Sequence, residues 1–113
     1  MIAEVTDEAT GLINELITTG DIITTSGAGI KIEGGYVHRD IVGIFFKPES
    51  GEPVKARVIA FNKPRTLKVL VPPELTVGTA YRISVGTLCS VKNSGYMLKK
   101  VRNIQSDFSL IAA

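Results

Sequence analysis

The chain has 113 residues, of which 44% are apolar and 21% charged, with one cysteine and a net charge of +2. That is the size of one compact domain, which buries roughly two-thirds of the surface its unfolded chain exposes, and its composition is ordinary for a globular protein. The lone Cys89 excludes an internal disulfide, so the fold must stand on its core alone.

No apolar run approaches the ~18 residues of a membrane-spanning helix. The opening Met1-Ile2-Ala3-Glu4 lacks the basic and apolar segments of a secretory leader. The chain is therefore expected to act in the cytoplasm or to follow a leader already removed. Charge is unevenly spread. Residues 1–21 hold five acidic and no basic side chains, whereas residues 55–113 hold ten basic against two acidic. No block of five consecutive cations occurs, so the asymmetry points first to oppositely charged segments lying side by side.

In chain order, Ala9, Leu12, Ile13, Leu16 and Ile17 stand at helical spacing, with Thr6 or Asp7 available as an N-cap. Gly11 and the β-branched Thr10, Ile13 and Ile17 weaken the pattern, but by periodicity alone the segment predicts a short helix. Ile22 to Ser26 is rich in β-branched residues and is broken by Gly27 and Gly29. Ile30-Lys31-Ile32 alternates before the turn at Gly34-Gly35. The stretch from Ile41 to Phe46 is continuously apolar, as in a strand covered on both faces, and its Gly43 signals a bulge or a close backbone approach.

After the turn at 48–53, Val54, Ala56 and Val58 alternate with Lys55 and Arg57, predicting one strand with a buried and a wet face. Leu67, Val69 and Val71 alternate in the same way until Pro72-Pro73 ends the ladder. Tyr81, Ile83 and Val85 follow, alternating with Arg82 and Ser84. Residues 97–101 and 108–111 read as the last strands. About seven short strands separated by turn signals predict an all-β sandwich with Greek-key connections.

The most specific local motif is Leu75, Gly78 and Tyr81, spaced as in the tyrosine corner of immunoglobulin-like sandwiches. There the phenol ring enters the core and its hydroxyl bonds the backbone upstream. Upstream, the run from Gly20 to Gly27 resembles the opening of transcription-factor-type Ig domains, where glycine supplies the positive φ of a corner.

Taken in order, Thr10-Gly11, Gly20-Asp21, Gly27, Ile30-Lys31-Ile32, Val42-Gly43-Ile44-Phe45-Phe46, Asn62-Lys63-Pro64, Val71-Pro72, Leu75, Gly78, Tyr81, Thr87, Leu98-Lys99 and Arg102 resemble a bacterial domain family of uncharacterised function with an Ig-like fold. The resemblance runs from about Val5 to Leu110. It implies a single Ig-like domain over residues 1–113, with its core at about 5–111, and it implies that residues 8–17 are extended or looped. Three departures stand out: Thr19 where the family favours Pro, Val101 where it favours Pro before the late Arg, and Thr87-Leu88-Cys89-Ser90 in place of a more polar or aromatic segment. Members of that family usually lie C-terminal to an HU-type DNA-binding domain. HU-type binding uses a helical dimer and a β-arm that wedges into the minor groove, and a sandwich filling 113 residues leaves room for neither. The chain is thus expected to be an excised or stand-alone C-terminal domain.

No residue set predicts catalysis, a cofactor or a metal. His38 has only Arg39 and Asp40 near it in sequence, and a general base or metal ligand needs better partners. Cys89 reads as a small core residue. Gly27-Ala28-Gly29 lacks the helix that a phosphate loop requires. The densest basic stretch, Lys92, Lys99, Lys100 and Arg102 with Tyr96 among them, is the candidate nucleic-acid surface, since backbone binding uses clustered cations and an aromatic can stack on a base. The plainer expectation for it is a solvated edge strand on which Lys discourages aggregation.

Two functions are therefore expected in order. The first is a non-catalytic accessory or interaction domain of a bacterial HU-like, nucleoid-associated DNA-binding protein in the cytoplasm. Its partners would be DNA through the HU-like domain, another protein or a second copy, met by surface complementarity or strand addition. The second is an extracytoplasmic Ig-like module that binds carbohydrate or protein, since fold alone does not decide function.

Overall fold

A computed structural model describes residues 2–32, 42–89 and 97–113, and for Cys89 and residues 97–100 it describes the backbone alone. The described residues form strands and turns with no helix, and none of their segments is a helix long and apolar enough to cross a membrane. Two sheets face each other. The first holds β1 (Ile2–Asp7), β3 (Ile22–Gly27), β7 (Thr66–Leu70) and β6 (Ile59–Asn62), in the order β1-β3-β7-β6. The second holds β2 (Leu16–Ile17), β10 (Leu110–Ala112), β8 (Ala80–Cys89), β4 (Gly43–Pro48) and β5 (Val54–Lys55) in that order, with β9 (Met97–Gln105) also paired to β8. These are the A-B-E-D and G-F-C sheets of an immunoglobulin-like sandwich, with β5 added beside C and β2 beside G.

Period-two alternation fills the space between the sheets. From the first sheet, Val5, Ile23, Leu67 and Val69 are buried; from the second, Ile17, Ile44, Phe46, Tyr81, Ile83, Val85 and Leu110 meet them. Each strand presents alternate side chains to one face, so a one-residue slip would exchange core for surface. Gly43 lies at φ 143°, in the left-handed half of conformational space, and a β-carbon there would come within 2.7 Å of Cε of Lys55. The close approach that Gly43 signals in the sequence is to this lysine stem.

Residues 8–17 are turned and extended rather than helical, as the family resemblance implies. The N-terminal strand pairs antiparallel with β3 in the first sheet as β1, then crosses and runs parallel to β10 in the second as β2. Asp7 sits at the crossing and is fully buried. Its Oδ1 accepts the Thr18 amide at 3.0 Å, and its Oδ2 accepts the Thr18 and Thr10 hydroxyls at 2.7 and 2.8 Å. Burial alone would raise this carboxyl; the donors from Thr18 and Thr10 outweigh it and hold the group below the usual carboxylate value. Asn14, at φ 56°, finishes the crossing: its amide donates to the Val5 carbonyl, and its Oδ1 accepts the Val5 amide.

Two expected strands take another form. The run 54–58 is not one strand. It leaves the second sheet after β5, keeps one bond from the Ala56 amide to the Ile44 carbonyl, and enters the first sheet, where the Val58 carbonyl accepts the Leu70 amide. Val58 is consequently 48% exposed rather than buried, because the alternation that looked continuous in sequence is split between two sheets. Ile30-Lys31-Ile32 joins neither ladder. Its apolar pair is buried, and its backbone is held by the Pro64 carbonyl, which accepts the Ile30 amide at 3.0 Å, and by side chains. Asn62 accepts the Ile32 amide and donates to the Ile32 carbonyl, each at 2.8 Å, while Thr87 donates to the Lys31 carbonyl at 2.7 Å.

At the other end, the Tyr81 ring is buried, its hydroxyl accepts the Thr76 amide at 3.0 Å, Leu75 is buried beside it, and Gly78 turns the corner at φ 91°. Tyr81→Phe keeps the ring and removes the acceptor. It is expected to cost about 1–2 kcal/mol, read as a fall of several degrees in the thermal midpoint by circular dichroism. Asp7→Asn keeps the shape and removes the charge, with an expected cost of about 1–2 kcal/mol at pH 7. Because the folded-state value of Asp7 is depressed, its contribution is complete above the unfolded-chain value of about 3.9 and is lost as pH falls through the folded value. Urea unfolding at pH 7 and pH 3 checks this: the gap between wild type and Asp7→Asn is expected to narrow at pH 3.

Candidate functional site

The outer face of the second sheet follows from register. Ile44 and Phe46 point inward, so Phe45 and Lys47 of β4 point out. Across β8, Lys47 stands opposite Arg82 and Phe45 opposite Ser84. On the other side, Phe45 stands opposite Lys55 of β5, and the Lys55 ammonium lies 6.0 Å from the Phe45 ring centroid. On β9, Gln105 pairs with Ser84 and Asn103 with Gly86, and both side chains are exposed. The face is thus built from three cations, an aromatic ring and two carboxamides over a floor of Ser84 and Gly86. At its lower end lies a depression of about 510 Å³ lined by Lys47, Glu49, Arg82, Gln105 and Ser109 among others.

Lys47 and Arg82 are the unusual pair. Like charges set directly opposite across two strands are destabilising, and among the described residues neither side chain has an ion-pair partner. By contrast, Arg57, in the connection between β5 and β6, meets Glu74 at 3.2 Å. Glu49 contributes to the lining of the depression without pairing to either cation.

Of the residues singled out by the sequence, Lys92 and Tyr96 lie outside the described residues, as does His38. Lys99 and Lys100 belong to β9, described there as backbone only. Arg102 is half-buried. It stands opposite the buried Thr87, and its guanidinium donates to the Gly29 carbonyl at 2.6 Å. It ties the connection between β3 and β4 to the second sheet. Lys47 and Arg82 were not singled out by sequence, because they are 35 positions apart and only the register makes them neighbours. Among the described residues, no three His, Cys, Asp or Glu side chains form a group able to hold a metal ion.

A second exposed feature is the edge strand β6, where Ile59 and Phe61 are 37% and 41% exposed beside Val58. An apolar row on a sheet edge is open to pairing unless something twists or covers it; here the register with β7 shifts between Ile59 and Phe61, which disrupts the edge.

The fold has a solved counterpart. A crystal structure of a candidate bacterial DNA-binding protein from Bacteroides vulgatus ATCC 8482 superposes with a TM-score of 0.86 at 23% identity, over 99% of this chain and 46% of that one. The chain therefore spans less than half the length of that protein, and at this identity the likeness is one of fold. No curated protein matches the sequence. A family model described as "Domain of unknown function (DUF4469) with IG-like fold" matches residues 1–104. The chain belongs to that family of Ig-like domains of unknown function.

Proposed function

We propose that this domain is a non-catalytic interaction module of a bacterial, nucleoid-associated DNA-binding protein, adding weak backbone contacts to those of an HU-like partner domain in the cytoplasm. The observation that carries the reading is the superposition of nearly the whole chain on less than half of a candidate DNA-binding protein. In that arrangement the sandwich is one part of a longer chain, and the rest of that length is free to supply the main grip on DNA. The basic second half of the sequence supports the reading, because sequence-independent affinity for duplex comes from cations set against phosphates. Base readout would need a helix or ribbon shaped for a groove, and the surface described above is a shallow sheet face.

The test is a fluorescence-anisotropy titration of the chain with a labelled 20-base-pair duplex at 20 mM and 200 mM salt. Weak binding at 20 mM that falls at least tenfold by 200 mM is the expected outcome. No binding at 20 mM, or binding that salt leaves unchanged, overturns the reading. Salt-insensitive binding to a neutral polysaccharide in the same assay would place the domain with carbohydrate-binding sandwiches instead.

A further inference from the structure

The depression on the outer face of the second sheet has a composition that its own stability does not explain. Lys47 and Arg82 are cross-strand neighbours, and two cations so placed repel each other. Like-charge pairs in sheets are usually relieved by an acid on the same face. Here the strand positions next to them on that face are Phe45, Ala80, Ser84 and Gln105, and Glu49, just past the end of β4, lines the depression without an ion pair to either cation. Gln105 and the exposed Ser109 add an amide and a hydroxyl to the same lining. Two cations, the Glu49 carboxylate, which pairs with neither of them, and two neutral donors line a concavity of about 510 Å³, a positive balance in which a bound anion would offset the repulsion.

We infer that this depression is a phosphodiester-binding site, with Lys47 and Arg82 as the charged contacts and Gln105 and Ser109 as the neutral donors, and that its occupant is the DNA backbone. The inference rests on the function proposed above and gives it a location. Arg82 suits the role because a guanidinium presents a planar fork of donors to phosphate oxygens, while Lys47 supplies a point charge beside it. The depression is lined by outward-facing positions of β4, β8 and β9. The Lys55 ammonium lies 6.0 Å from the Phe45 ring centroid, a third cation on the same face of the sheet. Arg102 is not part of this site: its guanidinium is turned to the Gly29 carbonyl.

The experiment compares the wild-type chain with Lys47→Gln/Arg82→Gln, using the same labelled 20-base-pair duplex at four salt concentrations. A second double variant, Lys63→Gln/Arg65→Gln, removes the same charge from exposed positions around the β6–β7 turn on the other sheet. The first variant is expected to lose about tenfold or more in affinity at low salt and about 1 from the slope of log K against log salt, because the two cations share one phosphodiester. Its thermal midpoint is expected to equal or exceed that of wild type, since a repulsion has been removed. The control variant is expected to retain the wild-type slope. Equal losses in both variants, or no loss in the first, overturn the inference while leaving duplex binding by the domain intact. A wild-type chain that fails to bind at low salt removes the proposed function and this site together. An excess of inorganic phosphate that competes no better than chloride at equal ionic strength is expected for a site that takes its phosphate from a polymer. Displacement by millimolar phosphate would overturn the assignment to DNA.

Discussion

The register of β4 against β8 is the constraint on which the rest of the molecule depends. Strand β8 is paired along both edges, with β4 on one side and with β10 and then β9 on the other. Once Pro48 stands opposite Tyr81 and Gly43 opposite Gly86, every side chain of the strand is committed. Tyr81, Ile83 and Val85 enter the core, and Arg82 faces out beside Lys47. A slip by one residue would bury Arg82 and expose the tyrosine that braces the corner. The break between β9 and β10 is held to the same register by Ser106. Its amide donates to the Ile83 carbonyl at 2.8 Å, and its hydroxyl accepts the Ile83 amide at 3.1 Å while donating to the Phe108 carbonyl at 2.7 Å. One buried side chain thus replaces a ladder step where the chain bends.

With no disulfide available, the two sheets are joined by buried polar clamps at opposite ends. Asp7 gathers three donors where the first strand crosses from one sheet to the other. At the far end, residues 27–32 are bound to the first sheet through Pro64, Arg65 and Asn62, and to the second through Thr87 and Arg102. A buried polar group left without partners costs more than a satisfied one contributes, so these clamps specify where the connections lie more than they add to stability. Thr25 is the exception: its buried hydroxyl lacks a partner among the described residues, and we have no physical account of it.

The parts of this structure that were legible in the sequence are those written in local pattern. Leu67, Val69 and Val71 announced β7 by alternation, and Leu75, Gly78 and Tyr81 announced the corner by spacing. What escaped depends on partners distant in the chain. The alternation of Val54, Ala56 and Val58 continues across a change of sheet, and nothing local marks the point where β5 ends and β6 begins. Asn62 was visible only as part of a family pattern; its role as the clamp on Ile32 needs the fold. The site escaped for the same reason. Lys99, Lys100 and Arg102 stand out because they are near one another in sequence, and in the structure Arg102 is bound to the Gly29 carbonyl. Lys47 and Arg82 became a pair only through the register of β4 and β8.

The direct measurement of that register is a double-mutant cycle on Lys47 and Arg82 at low salt. Exchanging Lys47 for Glu turns a cross-strand repulsion into an attraction when Arg82 is present. The account predicts a coupling of about 0.3–1 kcal/mol: Lys47→Glu stabilises the chain with Arg82 in place and loses that advantage beside Arg82→Gln. An effect of Lys47→Glu that is the same in both backgrounds would show that the two side chains do not face each other. The placement of the core and of the outer face would then fall together.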